Sequence, residues 1–180
     1  MMSKHSKNLT PVKLFFGLLA RDESVLCDVT ERLTRYFSPI AHATKPFLSQ
    51  QSDYYEEEMG QYLLRQWVAL EKPVLMGELD GIKIHTNRLE KLWVDDSGAR
   101  QVNIDPGYVS LAKVVLASTK DFSHRIYVGN GIYEEVTLHY QRASDRFEPW
   151  PWTYPDYCTA EANDFFMNVR RDLSATQTER

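Results

Sequence analysis

The tripeptide Gly129-Asn130-Gly131, set between residues 124–128 and 133–140, constrains this chain more than any other feature. Asparagine and glycine tolerate the left-handed backbone that a tight hairpin demands, and the flanking stretches alternate polar and apolar residues as antiparallel strands do. Upstream, residues 101–104 also alternate, Asp105-Pro106-Gly107 has the composition of a turn, and residues 111–119 form a strand with Lys113 embedded in it. The last third of the chain is therefore expected to be an antiparallel meander.

Helices frame that meander. Residues 12–20 are a compact apolar strand, and Arg21-Asp22-Glu23-Ser24 opens a helix over about 22–37, with Val25, Leu26, Val29 and Leu33 at helical spacing and Ser38-Pro39 as its stop. Residues 40–47 read as an edge-like strand interrupted by Pro46, and 49–59 as a polar excursion closed by Gly60. A strand over 62–70 ends at Lys72-Pro73. Residues 74–92 read as helical, with Leu75, Leu79, Ile82, Leu89 and Leu92 inward and a short strand at 82–85 as the alternative. Asp95-Asp96-Ser97-Gly98 is a turn. Residues 147–157 carry three prolines and two tryptophans, which rules out regular structure there. Thr159 then caps a last helix whose apolar face is Ala162, Phe165, Phe166, Val169 and Leu173. The expected fold is α+β: a single domain over 12–173, mainly antiparallel sheet with helices packed on one face. It starts with a split β-α-β unit, ends in the meander and closing helix, and carries flexible tails at 1–11 and 174–180.

Composition excludes several function classes. The 180 residues suit one domain. A formal net charge of −4 argues against bulk nucleic-acid binding, which needs a basic face. No apolar run reaches the roughly 18–20 residues of a membrane span. With no secretion signal and only Cys27 and Cys158, no disulfide framework is expected and the cytosol is the expected compartment. Phosphate-loop, dinucleotide, paired-histidine zinc and Cys-x-x-Cys motifs are absent, and the five histidines have no ligand-like spacing, so neither a metal nor a cofactor is assigned.

Alternation along the strands sorts Lys113, Arg125, Tyr127, Glu135, Thr137 and His139 onto a polar side and Val114, Leu116, Ile126, Val128, Val136 and Leu138 onto an apolar one. Lys113 and Arg125, with Lys120 and His124, would bind phosphate or carboxylate there, with Asp105 or Glu135 orienting water or a cation. The bland alternative is a solvated face laced with ordinary ion pairs. The run Trp150 to Tyr157 is either an aromatic shelf for a planar ligand or, more commonly, packing over the sheet. Residues 53–58 are either a lid or a solvated helix turn.

Residues 53–60, Thr86-Asn87-Arg88-Leu89-Glu90, and residues 102–108, 113–121, 124–127, 131–138 and 152–157 form an ordered series of motifs. In that series the chain resembles the domain of unknown function 4416 family of bacterial proteins, from about Lys13 to Arg171. The family is named for lack of an assigned activity, and a GTP-binding label carried by some relatives has no phosphate loop to match it here. The resemblance points to Asn87, Asn103, Asp105, Lys113, Lys120, His124, Arg125, Glu135 and Tyr154 as site residues. It assigns no role to Glu134, which stands where the family pattern has a small residue. The leading expectation is a cytosolic module or regulator that binds a small anion or nucleotide. One rival is an enzyme acting on a phosphorylated or carboxylated metabolite, with Lys113 and Arg125 holding charge and His124, Asp105 or Glu135 moving protons. The other is an interaction module docking through the Trp/Pro-rich loop or a sheet edge.

Overall fold

The computed structural model describes residues 11–49 and 56–178. The chain runs β1 (Val12–Ala20), α1 (Glu23–Tyr36), β2 (Ile40–Ala43), β3 (Phe47–Leu48), α2 (Glu56–Met59) and β4 (Leu64–Val74). It continues through α3 (Leu79–Leu89), β5 (Val102–Val109), β6 (Lys113–Ser118), β7 (Ile126–Gly129), β8 (Ile132–Gln141), β9 (Arg146–Pro149) and α4 (Ala160–Thr178). The strands form one nine-stranded sheet in which every pairing is antiparallel, with the order β2-β4-β1-β5-β6-β8-β7; β3 is added to β4 and β9 to β8. Because β4 pairs antiparallel with both β1 and β2, these two run parallel with β4 between them, which is the split β-α-β arrangement.

Strand β1 is buried over its whole length because it lies mid-sheet with both faces covered. Its Leu14, Phe16 and Leu18 pack with Val25, Val29 and Leu33 of α1 and Leu79 and Leu89 of α3. Phe15 points the other way, into a second core with Trp67 and with Phe165, Phe166 and Val169 of α4. Helices therefore cover both faces, not the single face expected from sequence; a strand without a polar side leaves no face for water. Asp22 caps α1 by accepting from Val25 N at 3.0 Å, and Thr159 Oγ1 caps α4 by accepting from Ala162 N at 3.1 Å.

Four further boundaries differ from expectation. Strand β4 runs through Lys72-Pro73, where Pro73 lies opposite Lys13 beside an irregularity in the ladder. Asp105-Pro106-Gly107 is no turn but the middle of β5: the ladder to β6 covers only Gly107–Val109, so Pro106 sits just past its end. Gly107 is required there, since a Cβ would meet Val115 O at 2.4 Å and the Phe15 ring at 2.5 Å. The segment after β4 is a short 3-10 turn before α3 and another after it, which leaves Leu75 and Leu92 exposed instead of inward. Helix α4 continues to Thr178, beyond the expected start of a tail at Ser174.

The closing strands are not a simple meander. The Gly129-Asn130-Gly131 hairpin forms, with Asn130 at φ 54° and Gly131 at φ 76°, but it folds back so that β8 lies between β6 and β7. The outer edge of β8 is shared: β7 pairs with its start and β9 with its end. Residues 50–55 of the polar excursion, with the first half of the lid or helix turn suggested for 53–58, lie outside the described residues, and 56–59 form the short helix α2. Among the described residues no helix is long and apolar enough to cross a membrane, and Cys27 and Cys158 are free thiols.

Candidate functional site

The short β5–β6 ladder creates the site. Beyond Gly107 and Leu116 the two strands diverge, and the gap between them is a cleft of about 130 Å³. Asn103 and Asp105 of β5 form one wall, and Ser118, Thr119 and Lys120 at the end of β6 form the other. Lys83 and Asn87 reach in from α3, Arg100 from the turn before β5, and Arg125 and Tyr154 from the far side. Among the described residues four cations thus face one carboxylate, Asp105, on the cleft wall.

Carboxylates and amides behind the wall hold those cations in place. Buried Lys83 donates to Ile104 O at 3.1 Å and Asp105 Oδ1 at 3.0 Å. The other oxygen of Asp105 accepts from Asn103 Nδ2. Arg100 donates from Nη1 to Glu90 at 2.7 Å and to Asn103 Oδ1 at 3.1 Å, and from Nη2 to Glu58 at 2.9 Å. Glu90 also accepts from Ile104 N at 2.7 Å, tying the end of α3 to β5. Burial pushes the Asp105 carboxyl up, but the charges of Lys83 and Arg65 and its hydrogen bonds outweigh this and hold it below the usual carboxylate range. For Glu90 burial wins, and its carboxyl is raised despite Lys83 and Arg100.

Arg125 is the most constrained of the cations. Its Nε donates to Glu135 Oε2 at 2.7 Å, its Nη1 to Ser118 Oγ at 2.8 Å and Lys120 O at 3.1 Å, and its Nη2 to Tyr154 Oη at 3.0 Å. These contacts take four of its five N–H groups and leave one for a ligand. Glu135 is a shared acceptor: Oε2 also meets His124 Nε2 at 3.0 Å, and Oε1 accepts from Thr137 Oγ1 at 3.0 Å. Burial raises the Tyr154 hydroxyl above its ordinary pKa, although Arg125 opposes this.

Of the nine residues picked from sequence, six line the cleft: Asn87, Asn103, Asp105, Lys120, Arg125 and Tyr154. Glu135 and His124 stand directly behind Arg125. Lys113 does not line the cleft; it faces a second depression with Tyr108 and Val115, which His124 and Glu135 also line. A bulge in β8 accounts for the separation. Val114 pairs with Leu138 and Val115 with Val136, so Thr137 is an extra residue that reverses the alternation. Glu135 consequently shares a face with Leu116, while His139 shares one with Lys113.

The aromatic loop is mainly an edge cover. Thr153 Oγ1 donates to Thr137 O at 2.6 Å and Trp152 Nε1 to Val136 O at 3.2 Å, filling the stretch of β8 between β7 and β9. Of its aromatics only Tyr154 reaches the cleft. Sequence reading passed over Lys83, Arg100 and Glu90. Two of these carried a signal, because Lys83 and Glu90 lie seven residues apart on the stripe of Leu79, Ile82, Thr86 and Leu89, where a charge is out of place unless paired. Arg100 carried none. Among the described residues no group of three or more His, Cys, Asp or Glu is arranged to hold a metal ion.

The fold and cleft define a single antiparallel α+β domain with a cation-rich gap between two of its central strands. The chain belongs to the family described as Domain of unknown function (DUF4416), whose sequence model matches residues 10–173. No curated protein and no solved structure matches it.

Proposed function

We propose that this is a cytosolic binding module whose cleft holds a small anion, either free or as the terminal phosphate or carboxylate of a larger ligand. The observation that carries this reading is the convergence of Lys83, Arg100, Lys120 and Arg125 on one gap, whose wall among the described residues holds one carboxylate. Charge-assisted N–H donors fixed by buried partners suit phosphate or carboxylate oxygens, and the amides of Asn87 and Asn103 add neutral donors. Size sharpens the reading: about 130 Å³ accommodates one anionic group, whereas sites for drug-sized ligands run from about 300 Å³. A nucleotide would place only a phosphate inside.

Binding is favoured over catalysis because Asp105 is held below and Tyr154 above its ordinary pKa, both away from the neutral range that proton transfer uses. The test is calorimetric titration with inorganic phosphate, sulfate, small carboxylates and nucleotides. Saturable binding that weakens about tenfold in Arg100→Met and Asn87→Ala supports the cleft, since each removes one donor. Heat from none of these anions would end the proposal, and consumption of a bound nucleotide would move it to the enzyme reading.

A further inference from the structure

The second feature of interest lies away from the cleft, beneath the β7–β8 hairpin. A depression of about 340 Å³ is walled by Val115, Val136, Ile126 and Val128 and by the indoles of Trp150 and Trp152. Ile126 is 73% exposed, Val128 41%, Trp150 38% and Trp152 37%, an apolar clustering that a surface does not carry without a use. The indoles are held rigidly. They stack on each other at 5.3 Å between ring centroids, with His124 on one side at 5.4 Å and His139 on the other at 4.4 Å, and Trp152 is pinned to Val136 O. The wall is preformed, so a ligand meets little ordering cost.

Three charged side chains also line this apolar hollow: Glu135, which is paired with Arg125, and Lys113 and Glu134. Lys113 and Glu134 both face it, and among the described residues neither side-chain charge has a hydrogen-bond or ion-pair partner. They influence each other electrostatically without touching. Burial pushes the Glu134 carboxyl up, Asp80 adds to the effect and Lys113 opposes it, so a further positive charge placed beside Glu134 would be stabilised. A carboxylate beside Lys113 would gain likewise. Separated, unpaired opposite charges beside apolar walls call for a ligand with both charges and an apolar body.

We propose that this depression is a second binding site, and that it takes a free amino acid with a large apolar side chain. The ligand ammonium meets Glu134, its carboxylate meets Lys113, and its side chain lies against Ile126, Val128 and the indole edges. The site is distinct from the anion cleft but shares His124 and Glu135 with the support of Arg125. The test is calorimetric titration with L-phenylalanine, L-leucine and L-tryptophan. The controls are 3-phenylpropionate, which lacks the ammonium, phenethylamine, which lacks the carboxylate, and N-acetylphenylalanine amide, which lacks both charges. Saturable binding of the amino acids, at least about tenfold weaker for every control and for Glu134→Gln and Lys113→Met, is the expected result. Both substitutions keep side-chain volume at partly exposed positions, and the controls need no variant. The proposal is overturned by 3-phenylpropionate binding as well as L-phenylalanine, by the amide binding as well, which would make the hollow a peptide-docking surface, or by no amino acid saturating. Inorganic phosphate titrated into the same two variants should bind as in the parent, because neither residue lines the cleft.

Discussion

Two arginine–carboxylate pairs in this protein are almost equally buried and yet differ in kind. Arg65 and Asp156 meet at 3.0 Å with side chains 3% and 0% exposed, and Arg125 and Glu135 meet at 2.7 Å with 2% and 1%. The first is sealed between β4 and the turn before α4, and among the described residues the Arg65 Nη1 finds no hydrogen-bond partner. The second borders an open cleft, and among the described residues four of the five Arg125 N–H groups are engaged. Burial of an ion pair is therefore no sign of function by itself; what matters is whether a donor is left facing space. We read Arg65–Asp156 as a clamp on the fold and Arg125–Glu135 as the mounting of a binding group.

Substitutions can break that distinction. The largest effect is expected from Asp156→Ala, which strands a buried guanidinium: breaking such a pair costs about 3–5 kcal/mol, read from urea unfolding. Glu135→Gln should cost less, about 1.5–3 kcal/mol for charged hydrogen bonds, but should also abolish anion binding in protein that remains folded. If Asp156→Ala impairs anion binding as selectively, the two pairs are not distinct. Lys120→Ala, at the cleft mouth, should weaken phosphate binding about tenfold, or about 1.4 kcal/mol, while leaving the urea midpoint nearly unchanged.

The smallest effects are on acid unfolding, where two carboxylates oppose each other. Asp105 has a lowered pKa in the folded protein, so the stability it contributes is present above the ordinary unfolded value of about 3.9 and is lost as pH falls through the folded value. Glu90 has a raised pKa, so the folded state takes up its proton first and gains stability as pH falls through that raised value. Stability measured from about pH 6 to about pH 2 should fall less steeply in Asp105→Asn and more steeply in Glu90→Gln than in the parent. The same slope in both variants would contradict the opposed signs.

What was legible in the sequence was local. β1 is a compact apolar run, α1 and α4 have periodic apolar patterns and caps within a few residues, and the 129–131 hairpin is turn chemistry. Asp105-Pro106-Gly107 misled because its composition suits a turn, while pairing with Phe15, Phe16 and Gly17 some ninety residues earlier decides the outcome. The position of β8 between β6 and β7 depends on non-local pairing in the same way. Half of the cleft lining was found, Asn103, Asp105, Lys120 and Arg125 from charge and strand alternation and Asn87 and Tyr154 through the family resemblance, but alternation also grouped Lys113 with them, which the extra residue Thr137 reverses. Arg100 could not be found, since nothing in the sequence around it says that Glu90 and Glu58 will converge there.

The centrality of β1 also bears on how the chain is made. Lys13 lies opposite Pro73 on one side and Val109 on the other, so β1, which is synthesised before both of its partners, can form no ladder until β4 exists and is not enclosed until β5 follows. Over that interval a nine-residue segment, apolar but for Lys13, waits without partners, the kind of exposed run that aggregates or recruits chaperones. Topology of this sort also slows folding, because distant loops must close before their contacts repay the lost entropy. Synthesis of the second half of the chain is thus the step that protects the first.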